Sequence, residues 1–351
     1  MASTPFRALL FFAASLTPLL SSPWRFCVAP MMDWTDRHCR FFHRQLSRHA
    51  RLYTEMVTTG ALLHGDLARH LDFDAAEHPV ALQLGGSERD DLARCARLGE
   101  RWGYDEVNLN CGCPSERVQR GAFGACLMAE PLLVADCVKA MRDAVSIPVT
   151  VKHRIGIDRG EDYGFVRDFV GQLHEAGCDV FIVHARNAWL KGLSPKANRE
   201  VPPLRYEVVY RLAGDFPRAQ FVLNGGIATL AQAAGPLQRL HGVMLGRAAY
   251  HDPYLLATVD RELFAAADAP PSRTEVVAAM SAYLRRQAAA GVPPRSILRH
   301  MLQLFHGEHG ARSWRRLLSD PEFIERHGAQ ALQSAARAFT TRHLDRDPAA
   351  A

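Results

Sequence analysis

The chain has 351 residues, 48% of them hydrophobic and 23% charged, with 25 Gly and 20 Pro; that is ample for a large core and excludes collagen-like and low-complexity disordered classes. The net charge is +5, and residues 270–351, with 12 Arg, no Lys and 7 acidic residues, hold all of it. An arginine-only excess suits phosphate or nucleic acid, because guanidinium presents a planar fork of donors, although a solvated helical face would have the same composition.

Residues 1–23 read as an irregular apolar extension. The run Ala8 to Leu20 after Arg7 resembles the core of a signal peptide, but it is too short to span a bilayer, is interrupted at Thr17 and Pro18, and has no clean small-x-small cleavage site. The eight cysteines are scattered rather than set at framework spacings, so they are expected to be reduced thiols of a cytoplasmic protein, with no disulfide. Cys111 and Cys113 form a C-x-C pair with no second cluster at zinc spacing, and no metal site is expected.

From Phe26 onward, short apolar runs alternate with longer amphipathic stretches. The predicted strands are Phe26 to Ala29, Leu52 to Glu55, Val80 to Leu84, Glu106 to Asn110, Val149 to Lys152, Val180 to His184, Phe221 to Asn224 and Gly242 to Leu245. Helical patterns between them include Glu88 to Trp102, Pro131 to Ala144 and Phe165 to Ala176, with Pro131 suited to a first turn. Eight strands with crossovers predict a (β/α)8 TIM barrel over residues 24–268. A doubly wound sheet is the runner-up, but Ala29-Pro30-Met31-Met32 is not the Gly-rich first turn it needs. After Pro270-Pro271 the pattern becomes helical, over Thr274 to Ala290, Arg295 to Phe305, Ala311 to Leu318 and Gly328 to Leu344. This predicts a small C-terminal all-helical domain, 269–345, and a tail, 346–351.

Barrels build active sites at the C-terminal ends of their strands. Those ends carry Pro30, Met31 and Met32; Glu55; Gln83; Asn110 leading into Cys113; Lys152; His184; Asn224, Gly225 and Gly226; and Gly246 with Arg247. Glycines after strands seven and eight let backbone N–H groups approach a phosphate, and Arg247 can neutralise it. Lys152, across the mouth, fits a cofactor whose ring lies over the strand ends. Cys113 follows strand four between Gly112 and Pro114; an ordinary thiol is mostly protonated at neutral pH and can act as general acid or nucleophile. Cys95, Cys111, Cys137 and Cys178 are expected to be packing.

Ten segments together resemble the tRNA-dihydrouridine synthases, specifically the bacterial A-type subfamily. They are Ala29 to Arg37, Tyr53 to Met56, Val80 to Gly86, Asn108 to Ser115, Phe123 to Met128, Val149 to Arg154, His184 to Arg186, Gly192 to Lys196, Asn224 to Gly226 and Gly246-Arg247. The resemblance covers roughly Phe26 to Leu344, and the apolar leader is not a feature of it. It implies a flavin mononucleotide (FMN) enzyme that uses NADPH to reduce the C5–C6 bond of uridines in the tRNA D-loop, with positions 20 and 20a as targets. It assigns Pro30, Met31, Met32, Gln83, Lys152 and His184 to the flavin, and Asn224, Gly225, Gly226, Gly246 and Arg247 to the turns around its phosphate. Hydride would pass from flavin N5 to C6 and a proton from Cys113 to C5, with Lys152 stabilising the charge of the reduced ring. Asn110 would bond the base, and Lys196, Arg199, Arg312 and Arg315 would orient the tRNA. The expected protein is a monomer with no membrane attachment. Two other readings compete: a flavin barrel acting on a free pyrimidine, which leaves the Arg-rich helices without a task, and a tRNA-binding factor without catalysis, which leaves Cys113 and Lys152 without one.

Overall fold

A computed structural model describes residues 22–160 and 162–344. The apolar extension therefore lies outside the described residues except for Ser22 and Pro23, and the tail 346–351 lies outside them entirely. The eight strands are β1 (Phe26–Val28), β2 (Arg51–Thr58), β3 (Val80–Gly85), β4 (Glu106–Cys111), β5 (Val149–Arg154), β6 (Val180–His184), β7 (Gln220–Asn224) and β8 (Gly242–Leu245). They pair in parallel, in chain order, and β8 closes on β1. The expected (β/α)8 barrel is thus the observed fold, with β2 and β5 longer than their apolar runs suggest.

Side chains alternate across each strand, and the period of two separates the barrel interior from the face under the helices. Cys27, Ala29, Tyr53, Ala81, Val180, Ile182, Val222 and Met244 form one buried cluster with Trp24, and Met31 packs against it. The same periodicity turns Gln83, then Glu106, Asn108 and Asn110 of β4, and Thr150, Lys152 and Arg154 of β5 inward. One sector of the interior is therefore polar. Helix Pro131–Ala144 starts on Pro131 as expected, where the missing N–H costs nothing. Among the described residues, no helix is long and apolar enough to cross a membrane.

The chain divides into two compact units. One holds the barrel, up to Asp33 and then Ala50–Gly246; the other combines Trp34–His49 with the residues from Arg247 onward. This differs from a linear boundary at 268/269. The second unit takes in helix Arg37–Leu46, whose Phe41 ring stacks on Tyr283 at 3.9 Å and whose His38 Nδ1 is 2.8 Å from the Tyr283 hydroxyl. Asp36, which caps that helix, also accepts from Arg299 Nη2 at 2.6 Å and pairs with His300 Nε2 at 3.0 Å. Burial raises its carboxyl, but His300, the Cys39 N–H and Arg299 outweigh that and hold it well below the usual range. Helix Arg273–Ala289 opens with a Ser272/Glu275 capping box. Helix Pro321–His327, capped by Asp320, is an addition to the expected elements.

Candidate active site

Strand register sets the site. Gln83 pairs with Asn108, Asn110 with Lys152, Arg154 with His184, and His184 with Asn224, so these residues form adjoining tiers at the C-terminal ends of β3 to β7.

The sulfur of Cys113 belongs to a loop whose backbone is held from below. Asn110 Oδ1 accepts from the N–H groups of Gly112 and Cys113, both at 3.0 Å, closing an Asx turn. Asn110 Nδ2 donates to Gln83 Oε1 at 2.9 Å. The Cys113 carbonyl accepts from Ala125 N at 2.9 Å, so the Gly124–Ala129 turn braces the loop from the other side. Cys113 is partly exposed, whereas Cys111 is buried with its thiol pushed up by burial. Cys113 Sγ lies 3.6 Å from Ser115 Oγ. All eight cysteines are free, and Cys95, Cys137 and Cys178 are buried, as packing residues should be.

Lys152 Nζ donates to Asn224 Oδ1 at 3.1 Å, and Asn224 Nδ2 donates to the Met244 carbonyl at 2.7 Å. Burial, reinforced by Arg154, lowers Lys152 to about 7. His184 is buried. Burial pushes it well below its ordinary value, and the charges that act most strongly on it, Arg154, Lys152, Arg186 and Arg199, are all positive. The imidazole is therefore neutral in a mouth whose field favours an anion.

Gly225 and Gly226 follow β7 at φ +110° and +75°, where a side chain is strained. A Cβ on Gly225 would lie 2.6 Å from His184 Cδ2, and one on Gly226 would lie 2.4 Å from Leu204 Cδ1. Gly246, after β8, differs: nothing lies nearer to its would-be Cβ than Met31 Sδ at 3.6 Å. Arg247 comes next in the chain and opens helix Arg247–His251 in the second unit. Pro30 and Met31 are partly exposed after β1, and Met32 is 58% exposed.

Arg154 carries a structural burden that its place at a strand end did not reveal. Its guanidinium donates to the carbonyls of Gly112 at 3.1 Å, Asn187 at 3.3 Å and Asn198 at 3.0 Å. It thereby ties the Cys113 loop to the segment carrying Lys196, which is exposed, and Arg199. Burial lowers it to about 10. Asn198, which no sequence motif singles out, is fully buried and bonds Trp189 and Leu193 within that segment. In the second unit, Arg312 and Arg315 lie three apart on helix Ala311–Ser319, on one face. Arg312 is exposed, and Arg315 Nη1 reaches Gln303 Oε1 at 3.5 Å.

Fold and site together define a (β/α)8-barrel enzyme with a thiol, a buried lysine and a neutral histidine gathered at a cationic mouth. A family model described as dihydrouridine synthase matches residues 27–340. The chain is 63% identical over 295 residues to the tRNA-dihydrouridine(20/20a) synthase of Pseudomonas aeruginosa, covering 84% of this chain and 89% of that one. It is 58% identical over 297 residues to the enzyme of that name from Escherichia coli K12, covering 84% and 86%. The Synechocystis enzyme of the same name is 53% identical over 329 residues, 94% of this chain and 96% of that one. Among solved structures, morphinone reductase aligns with a TM-score of 0.49 at 15% identity, over 74% of this chain and 91% of that one. The chain belongs to the dihydrouridine synthase family.

Proposed function

We propose that this protein reduces uridines 20 and 20a of the tRNA D-loop to 5,6-dihydrouridine, with FMN as resident cofactor and NADPH as reductant, acting as a monomer in the cytoplasm. The observation that carries the reading is the Cys113 loop, which holds a partly exposed thiol on an Asx turn beside Lys152.

The residues at the mouth fit a flavin. Gly225 and Gly226 leave no room for side chains, the bare backbone of Gly246 lets a phosphate approach its N–H, and the cationic surroundings of His184 suit its charge. Gln83 retains one uncommitted amide N–H after bonding Asn108, and the neutral His184 ring offers a further donor. Pro30, Met31 and Met32 would cover the ring, and Asn224 would hold Lys152 beside it. Arg247, next to Gly246, would balance the phosphate. Bound flavin, once reduced, supplies the hydride that saturates the C5–C6 bond. Cys113 donates the proton to C5, and Lys152, in its charged form, offsets negative charge that develops during transfer.

Asn110 contributes one remaining N–H to the base, because both lone pairs of its Oδ1 already serve the loop. Extruding a loop nucleotide costs a few kcal/mol. Lys196 and Arg199 on the barrel unit, and Arg312 and Arg315 on the helical unit, would contact phosphates and offset that cost through counterion release. The test is to incubate purified protein and NADPH with unmodified tRNA and map dihydrouridine at single-nucleotide resolution. Product at 20 and 20a is expected. No product on tRNA, but turnover of a free pyrimidine, would replace this reading with a small-substrate flavin enzyme.

A further inference from the structure

A continuous file of buried hydrogen bonds runs from the Cys113 loop down the inside of the barrel. Below Asn110 and Gln83, Gln83 Nε2 donates to Asn108 Oδ1 at 2.7 Å, Asn108 Nδ2 to Thr150 Oγ1 at 2.7 Å, and Thr150 Oγ1 to Glu106 Oε1 at 2.5 Å. The Glu106 carboxylate also accepts from Tyr53 Oη at 2.8 Å, Trp24 Nε1 at 2.7 Å and Arg51 Nη1 at 3.1 Å. Glu106, Asn108 and Thr150 are each fully buried, so no water competes for these bonds.

The direction of the file is fixed independently at both ends. At the floor, Trp24 and Arg51 can only donate to Oε2, and the ion pair with Arg51 makes Glu106 a carboxylate whose Oε1 is an acceptor too, so the Thr150 hydroxyl points its proton at it. Thr150 then accepts from Asn108 Nδ2, which turns Asn108 Oδ1 toward Gln83. At the mouth, the Gly112 and Cys113 N–H groups can only donate, which makes Asn110 Oδ1 the acceptor and sends its Nδ2 to Gln83 Oε1. The two ends impose the same orientation on Gln83, and each amide has a single orientation consistent with it.

We propose that Thr150 and Asn108, anchored on Glu106, are positioning residues that brace Gln83 and Asn110 from below in the amide orientation the loop N–H groups also require, and thereby hold the Cys113 loop in its geometry. The proposal rests on the reading of Cys113 as the proton donor to uridine. It makes Asn110 a donor-only contact toward the substrate, suited to a carbonyl oxygen of the pyrimidine and not to an exocyclic amino group.

Thr150→Val keeps the shape of the side chain and removes the hydroxyl; Thr150→Ser keeps the hydroxyl. In the flavin-loaded protein, Thr150→Val should lower kcat for tRNA reduction on the order of 100-fold, as small misplacements of reacting groups do, with KM for tRNA little changed. Thr150→Ser should restore most of the rate. A second readout is independent of tRNA: the pH profile for alkylation of Cys113 by iodoacetamide should shift in Thr150→Val and return in Thr150→Ser. If Thr150→Val fails to fold, Asn108→Asp, which removes the donor to Thr150 in the same file, takes its place with the same two readouts. Wild-type kinetics and an unshifted alkylation profile in the folded variant would overturn the proposal. If the wild type itself fails to reduce tRNA, the functional reading falls, while the alkylation profile still reports on the file.

Discussion

Gly246→Ala separates the phosphate cradle from the stability of the barrel. Gly246 is not in the left-handed region, and an added Cβ would meet nothing closer than Met31 Sδ at 3.6 Å and Ala29 Cβ at 3.7 Å, which is ordinary contact. Replacing glycine at a compatible backbone position reduces unfolded-state entropy and stabilises by about 0.4–1 kcal/mol. The apoprotein should therefore melt at the same temperature or slightly higher. If the flavin phosphate lies against the Gly246 backbone, the methyl displaces it from a backbone N–H, and losing one hydrogen bond to a charged group costs about 1.5–3 kcal/mol. The FMN Kd should rise about 10- to 100-fold. Gly225→Ala is the contrast: φ is +110° and the Cβ would lie 2.6 Å from His184, so both stability, by roughly 1–2 kcal/mol, and flavin affinity should fall. The assay is thermal melting of apoprotein beside fluorescence titration with FMN. An unchanged FMN Kd in Gly246→Ala would refute the cradle.

Other consequences can be checked in the same preparations. Cys113→Ala should keep its flavin and oxidise NADPH yet form no dihydrouridine; full activity on tRNA would remove the thiol from the reaction. Burial brings Lys152 from its ordinary 10.5 to about 7, so between those values the unfolded chain holds a proton that the folded apoprotein has released. Stability should therefore rise with pH across that window, and Lys152→Met should flatten the rise in a pH series of urea denaturations. Arg312→Ala with Arg315→Ala should weaken tRNA binding and reduce the salt slope by about one for each phosphate left without its arginine, with flavin content unchanged.

The barrel was readable because buried parallel strands are near-continuous apolar runs, and because Pro131 marks a helix start that needs no tertiary information. Helix Arg37–Leu46 was not. Its sequence is rich in cationic and histidine side chains, and among the partners that receive the buried His38, Arg40 and Arg44 are Tyr283, the Thr35 carbonyl and the Ser47 carbonyl. For His38 the partner is more than two hundred residues away, and periodicity cannot show it.

The strand-end residues could be picked out one by one, but the file beneath them could not, since it depends on register between β3, β4 and β5. One signal was present. Glu106, Asn108 and Asn110 are polar at every second position of a strand whose other residues are apolar, and Thr150, Lys152 and Arg154 hold the same spacing on its neighbour, where His153 alone breaks the apolar alternate positions. Polar residues at period two inside a buried strand point to a hydrogen-bonded interior, because unpaired they would be too costly. Arg154 belongs to that pattern as fully as Lys152 does, and its three carbonyl partners are the reason it is there.

An anaerobic single turnover bears most directly on tRNA uridine reduction by a bound flavin: enzyme reduced with one equivalent of NADPH is mixed with unmodified tRNA, and its absorbance is followed while dihydrouridine is counted. The flavin should reoxidise with one dihydrouridine formed per flavin, and free uridine should cause no reoxidation on the same timescale. Reoxidation by free uridine as fast as by tRNA, or by tRNA without dihydrouridine, would contradict that chemistry.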